Sequence, residues 1–205
     1  MDSRSPDAIT EVKSRIERLI EDMSFECSFQ ELRNIHNALF DGIIKDSGVI
    51  RTSNIKKKQW ILVDDSVKYC KARLIDESIA RAFEKESNFD YSNISEEEFV
   101  KHIAQFVSEI WQIHPFREGN TRAVTVFLIR YLKTKGFKIT NAKFCEHSSY
   151  FRNALVRSQY ELDQHGVFKT YEPLERFLKY VILDIPAAPR PSYFRVHDLR
   201  INLRN

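Results

Sequence analysis

Apolar residues recur at helical spacing along most of this chain. Residues 8–23 place Ile9, Val12, Ile16, Leu19 and Met23 on one stripe, which predicts a helix. SFQE, Ser28–Glu31, reads as a capping box with Ser28 as N-cap. The helix after it carries Phe29, Leu32, Ile35, Leu39, Phe40 and Ile43, and should stop between Gly42 and Gly48. A change of pattern follows. Val49, Ile50, Thr52 and Ile55 favour a strand, as do Trp60, Ile61 and Val63, with Lys56–Lys58 as the loop between them. This predicts a β-hairpin that must lean on a helical body, because an isolated hairpin is marginal.

Helical spacing returns from Asp64 to Glu86, with Val67, Cys70, Ile75, Ile79 and Phe83 on one face. A second capping box, Ser95 to Glu98, opens a helix carrying Phe99, Ile103, Phe106, Ile110 and Ile113. Pro115 should end it, since the residue before proline is pushed out of the α region. After Arg122 the run AVTVFLIRYL is apolar on every side, the pattern of a buried central helix, and Gly136 can end it. Residues 147–163 and 171–184 predict two more helices. Pro186, Pro189 and Pro191 then begin a tail that could form a short helix from about Val196. The expected division is an N-terminal helix over 1–27, a main domain over 28–185 and a tail over 186–205.

Composition narrows the class. The chain has 205 residues, 42% hydrophobic and 30% charged, as expected for a soluble globular domain. Only five glycines argue for helices over a turn-rich β fold. A net charge of +3 is too mild to imply nucleic acid, and basic patches interleaved with aromatics are absent, so no direct nucleic-acid binding is expected. Cys27, Cys70 and Cys145 are odd in number and widely spaced, which suits a reducing compartment. No secretory signal or membrane span is legible, so a bacterial cytoplasm is the expectation, with delivery into another cell left open.

The chemistry concentrates in HPFREGNTR, His114 to Arg122, a loop that feeds into the buried helix. A helix N-terminus offers unpaired N–H groups and partial positive charge. Gly119 lets an anion approach the backbone closely. Asn120 can cap the helix and donate to an oxygen. Arg122 can offer a fork to phosphate. Glu118 would repel phosphate unless a cation lay between them, and Mg²⁺ commonly takes one or two carboxylates together with phosphates and water. His114 can accept a proton near neutral pH and lies past the helix end, where little packing should depend on it. Pro115 and Phe116 read as structural, one ending the helix and one anchoring the loop.

These nine residues match the Fic signature HPFx(D/E)GN(G or other)R, and the chain is identified as a member of that family. LRNIHNALFDGIIKDSGVIRTSNI resembles the family's helix-and-flap segment, and YFRNALVRSQYELDQHGVFKTYEPLERFLKYVI its closing helices, so about residues 28–184 are covered. Where the family has "WAG" before the flap, this chain reads Lys45-Asp46-Ser47-Gly48. The resemblance implies an all-α Fic fold, a compact helical bundle around a buried central helix, with a β-hairpin flap over the active site. It implies transfer of AMP from ATP to a protein hydroxyl. His114 would be general base, Glu118 the Mg²⁺ ligand, Gly119 and Asn120 the anion hole, and Arg122 the binder of the distal phosphates. The target would add as a strand along a flap edge running through Val49, Ile50, Arg51, Thr52, Ser53, Asn54 and Ile55. Lys56–Lys58 would favour an acidic target surface, or merely guard an exposed edge.

The family's inhibitory pattern (S/T)xxxE(G/N) is matched only by Ser92 to Glu96, and Glu97 follows where Gly or Asn is expected. The resemblance therefore implies a separate small inhibitory antitoxin. The alternative is a degenerate inhibitory segment in 186–205, where Asp198 is the one acid. Two other readings stay open: another nucleotide or phosphodiester donor, and a silent module that binds a partner.

Overall fold

The computed structural model describes residues 5–62, 65–162 and 167–185. Helices dominate: α1 (Pro6–Glu21), α2 (Phe29–Phe40), α3 (Ile75–Ser87), α4 (Glu96–Ile113), α5 (Asn120–Thr134), α6 (Ala142–Glu146), α7 (Ser148–Arg157) and α8 (Glu172–Ile182). A two-stranded antiparallel hairpin pairs β1 (Lys56–Lys58) with β2 (Ser66–Lys68). Among the described residues no helix is long and apolar enough to cross a membrane. The three cysteines are unpaired.

The chain packs as two units. One takes the chain up to Asn54, then Cys70–Phe89 and Ile113–Ala142; the other takes Ile55–Tyr69, Asp90–Gln112 and the chain from Lys143 on. The first unit holds α1, α2, α3 and α5, with α2 against α5 and α1 against both. The core is α5, where Ala123, Val124 and every residue from Val126 to Leu132 are buried. Burial on all sides is what an all-round apolar run requires. Phe127 meets Phe25 and Phe83 edge to face, with centroids 5.0 and 5.9 Å away. Gly136, at φ 88°, closes α5, with the Phe137 N–H reaching back to Leu132 O.

One charge lies inside this apolar helix. Arg130 is 3% exposed and pairs with Glu31 on α2 and with Asp22, and it also donates to the Ser24 carbonyl. These partners fasten the α1–α2 connection to the central helix. They also explain why the first capping box is half formed. Ser28 Oγ accepts the Glu31 N–H at 3.2 Å, but the Glu31 carboxylate turns to Arg130. The second box is complete: Ser95 Oγ accepts from Glu98 N–H, and the Glu98 carboxylate accepts from Ser95 N–H at 2.8 Å.

In the second unit α7 packs on α8, and Phe144, Phe151 and Phe177 form a mutual ring cluster. Ser108 on α4 reaches Ser158 at 2.6 Å, and Gln159 donates to Ser108 at 2.7 Å, so this buried polar group is satisfied. The hairpin belongs to this unit. Lys57 faces Val67 across it, and Gln112 donates to the Lys68 carbonyl at 2.8 Å.

The structure corrects several expectations. Val49–Ile55 is not a strand, and the strand is Lys56–Lys58, read from the sequence as loop. Backbone partners decide this over propensity. The Val49 N–H closes a turn onto Asp46 O and the Arg51 N–H goes to Pro115 O, while Lys56–Lys58 find Ser66–Lys68 opposite. Trp60–Leu62 is a 3₁₀ turn instead of a returning strand. The helix expected from Asp64 begins only at Ile75, because Val67 lies in β2. The helix expected over 147–163 ends at Arg157, and the short α6 precedes it. The terminal helix expected from about Val196, with the rest of 186–205, lies outside the described residues.

Arg130→Met should be costly, because it leaves the Glu31 carboxylate without its cation. Breaking one side of a buried ion pair costs about 3–5 kcal/mol. Urea unfolding should show a loss near that size, and a loss below about 1 kcal/mol would contradict this role for Arg130.

Candidate functional site

All nine residues of HPFREGNTR lie in the first unit, between the end of α4 and the first turn of α5. α4 stops at Ile113 and His114 turns left-handed, at φ 49°. Such a conformation in a residue with a Cβ costs roughly 1–2 kcal/mol and persists only where the surroundings impose it. Gly119 is also left-handed, at φ 75°, and directly precedes α5. A Cβ there would overlap the Phe40 ring. Glycine is thus required both for its φ and for its missing side chain.

The loop is held from several sides. Asn120 is buried; its Oδ1 accepts the Phe116 N–H at 3.0 Å and its Nδ2 donates to Phe116 O at 2.7 Å. The expectation that Asn120 caps α5 is therefore corrected. Its side chain staples the loop, and Gly119 occupies the cap position without a side-chain bond. Phe116 is buried and stacks on His36, with centroids 3.8 Å apart and planes at 24°. Pro115 is also buried.

His36, on α2, is a site residue the sequence reading passed over. Its Nδ1 accepts the Gly48 N–H at 2.9 Å, so its Nε2 carries the proton and donates to Glu118 O, also at 2.9 Å. Burial pushes its pKa down to about 4, against the opposing pull of the Glu118 carbonyl. A neutral imidazole of fixed tautomer therefore ties the Gly48 turn to the motif. The available signal was a polar side chain on the apolar face of α2, next to Ile35 and one turn before Leu39 and Phe40.

Arg51 also lies elsewhere than expected. It is 2% exposed, and its backbone N–H bonds inward to Pro115 O at 2.8 Å, so it presents no edge to a docking strand. Thr52, Ser53 and Asn54 are exposed, and Val49 is 53% exposed, but they form no strand. Ile50 and Ile55 are half-buried.

The groups with chemistry differ in exposure. His114 is 3% exposed, which corrects the expectation that little packing surrounds it. The Glu118 backbone is held by His36 while its side chain faces solvent. Arg122 is half-buried, with its guanidinium carbon 4.6 Å above the Phe40 ring. Burial lowers its pKa and the Glu118 carboxylate works the other way, yet an arginine stays charged. The first intrahelical bond of α5 runs from Ala123 N–H to Gly119 O, so the Asn120 and Arg122 amides ahead of it lie outside the helix ladder. The loop thus joins a ring base, a carboxylate, a guanidinium and a helix N-terminus. Among the described residues no three His, Cys, Asp or Glu side chains cluster as a metal cage. One exposed carboxylate beside an anion cradle fits a Mg²⁺ whose other ligands are phosphates and water.

The chain is also similar to known proteins in sequence and fold. The Fic/DOC family profile matches residues 26–132. A probable protein adenylyltransferase, y4lH, of Sinorhizobium fredii (strain NBRC 101917 / NGR234) is 29% identical over 136 residues, 65% of this chain and 66% of that protein. The N-terminal FIC domain of Bep8, a VirB-translocated effector of Bartonella sp. 1-1C, superposes with a TM-score of 0.69 at 19% identity, covering 87% of this chain and 85% of that one. BepC of Bartonella tribocorum, solved with bound AMPPNP, gives 0.66 at 14% identity, covering 84% and 83%. At these identities the two structures share the fold.

His36 makes stability depend on pH in a defined direction. Its pKa is about 4 folded against an ordinary 6.5, so between those values the unfolded chain binds more protons. Its contribution is complete above pH 6.5 and is lost as pH falls toward 4. Between pH 7.5 and 5 the loss should be about 2 kcal/mol. Urea unfolding of wild type and His36→Gln at both pH values checks this. Equal pH slopes in the two proteins would show that His36 is not held neutral.

Proposed function

We propose that this chain, which belongs to the Fic/DOC family, is a protein adenylyltransferase that moves AMP from Mg·ATP to a hydroxyl side chain of a target protein. The observation that carries this reading is the single pinned loop, which holds His114, Glu118, Arg122 and the start of α5 together. The S. fredii relative, a probable protein adenylyltransferase, supports the activity, and BepC, solved with AMPPNP, supports an adenine nucleotide as donor.

The chemistry follows from the residues. The target oxygen attacks the α-phosphorus and the bond from that phosphorus to the bridging oxygen of pyrophosphate breaks. His114 accepts the hydroxyl proton as the new P–O bond forms. The α5 amides beginning at Gly119 and Asn120 cradle phosphate oxygens, and Asn120 contributes its backbone N–H because its side chain is committed to Phe116. Arg122 offers its fork to the distal phosphates, held in place over Phe40. Glu118 would hold Mg²⁺, which when bound offsets the negative charge of the phosphates.

The target is a protein segment that presents its hydroxyl side chain to His114, and Val49–Ile55 offers it no strand edge. Lys56, Lys57 and Lys58 on β1 would favour an acidic target surface. For control, the chain is read as the toxin-like half of a pair. A separate small helical protein would supply the glutamate that pairs with Arg122.

The purified chain, incubated with labelled ATP, Mg²⁺ and a bacterial lysate, should label a protein band that mass spectrometry identifies as carrying AMP. Labelling only from another nucleotide would keep the loop's role and reassign the donor. His114→Ala should lower transfer by about 10²–10⁴-fold. Glu118→Ala should raise the Mg²⁺ concentration needed for half-maximal rate, and an unchanged midpoint would move the metal elsewhere.

The same assay tests the pairing with an inhibitor. The chain alone should be active without any activating substitution. A quiet full-length chain that awakens when residues 186–205 are removed would place the inhibitor in its own tail.

A further inference from the structure

Arg51 lies outside the nine-residue motif and its guanidinium faces carbonyls. Nε donates to His114 O at 2.8 Å, and Nη2 donates to Ile113 O at 3.2 Å and to Cys70 O at 2.6 Å. Nη1 donates to Ser53 O at 2.7 Å. With its own N–H on Pro115 O, Arg51 engages three consecutive carbonyls, those of Ile113, His114 and Pro115. They bracket the one left-handed residue that ends α4, His114 at φ 49°.

This arrangement has a physical logic. The end of a helix leaves carbonyls unpaired and carries partial negative charge, so a buried cation is favourable there. A planar fork can meet several carbonyls at fixed angles, which a lysine or an amide cannot do. The carbonyl of His114 is bonded to the Cα that bears the ring. Fixing the peptide groups on both sides of that Cα fixes where the ring starts. Arg51 also grips Ser53 O and Cys70 O, and the Ala72 N–H donates to Asn54 Oδ1 at 2.8 Å nearby. The chain on either side of the hairpin segment is thereby fastened to the same guanidinium that holds His114.

We infer that Arg51 is a positioning residue for the transfer reaction, holding the His114 backbone left-handed so that its ring meets the attacking hydroxyl. The inference rests on the reading of His114 as the base. Arg51 touches neither the phosphate cradle at Gly119 and Asn120 nor Arg122 in this structure, so its loss should affect turnover and spare nucleotide binding.

The test measures Arg51→Lys and Arg51→Gln in two ways. In the labelled-ATP assay kcat should fall about 10- to 100-fold in Arg51→Gln, the size expected when a reacting group is misplaced by about 1 Å. Arg51→Lys, which keeps the charge and can meet one carbonyl, should fall between wild type and Arg51→Gln. KM for ATP should stay within about threefold in both, since phosphate contacts are kept. The second readout is independent of activity. The His114 Cα and Cβ chemical shifts report its backbone conformation, and they should leave the left-handed range in Arg51→Gln. Unchanged kcat, or unchanged His114 shifts, would overturn the inference. So would a parallel loss in kcat and a rise in KM across both variants, which would mean general loosening of the loop. If Arg51→Gln does not fold, Arg51→Lys alone decides by the same kcat, KM and shift criteria. If wild type transfers no AMP but the shifts move as expected, the positioning contact stands and the adenylyltransferase reading fails.

Discussion

The constraint that organises this structure is a shortage of hydrogen-bond donors at one place. Where α4 ends and the chain turns left-handed, the segment from Ile113 to Glu118, whose first four residues are buried, has no helix ladder to satisfy its carbonyls. An unpaired buried carbonyl costs roughly 1–3 kcal/mol, so donors must come from elsewhere in the fold. They come from Arg51, Asn120 and His36, and together they meet five of these carbonyls: Ile113, His114, Pro115, Phe116 and Glu118. The loop is left with little freedom, and its two left-handed residues, His114 and Gly119, are held against their intrinsic cost.

That rigidity links packing to chemistry. A base and an anion cradle contribute to rate only if their relative placement is set before the reactants arrive. Here α5 supplies the fixed reference. Its all-round apolar face buries it, Arg130 ties it to the α1–α2 connection, and its N-terminus emerges at Gly119. Phe40 then serves both Gly119 and Arg122: its ring leaves no room for a Cβ at 119 and carries the guanidinium at 122. One aromatic side chain on α2 therefore helps shape the cradle and orient the cation that would hold distal phosphates.

Much of this was legible in the residues. The nine-residue motif, the Ser95–Glu98 capping box and the buried run of α5 are local patterns, and each is where its sequence places it. The hairpin was misplaced because Val49, Ile50 and Ile55 carry strand propensity, while Lys56–Lys58 do not. Strand formation was settled by the cross-strand partners Ser66–Lys68, which no single segment reveals. The two missed positioning groups fail for the same reason. His36 looks like one polar residue on an apolar helix face, and Arg51 was placed on the docking edge among its strand-prone neighbours. Each has a partner carbonyl more than sixty residues away in the chain. Asn120 was read as a cap because Asn is a good one, but the nearby Phe116 backbone competes for its amide and wins.

The central claim is that this loop is built in advance to receive a nucleotide triphosphate. A crystal structure of the chain with Mg²⁺ and a non-hydrolysable ATP analogue tests it most directly. The account predicts phosphate oxygens on the amides at the start of α5 and on Arg122, with Mg²⁺ on Glu118. It also predicts the His36 Nε2 to Glu118 O distance still near 2.9 Å and His114 still left-handed. A nucleotide bound away from this loop, or one that binds only after the His36 and Arg51 contacts have broken, would contradict it.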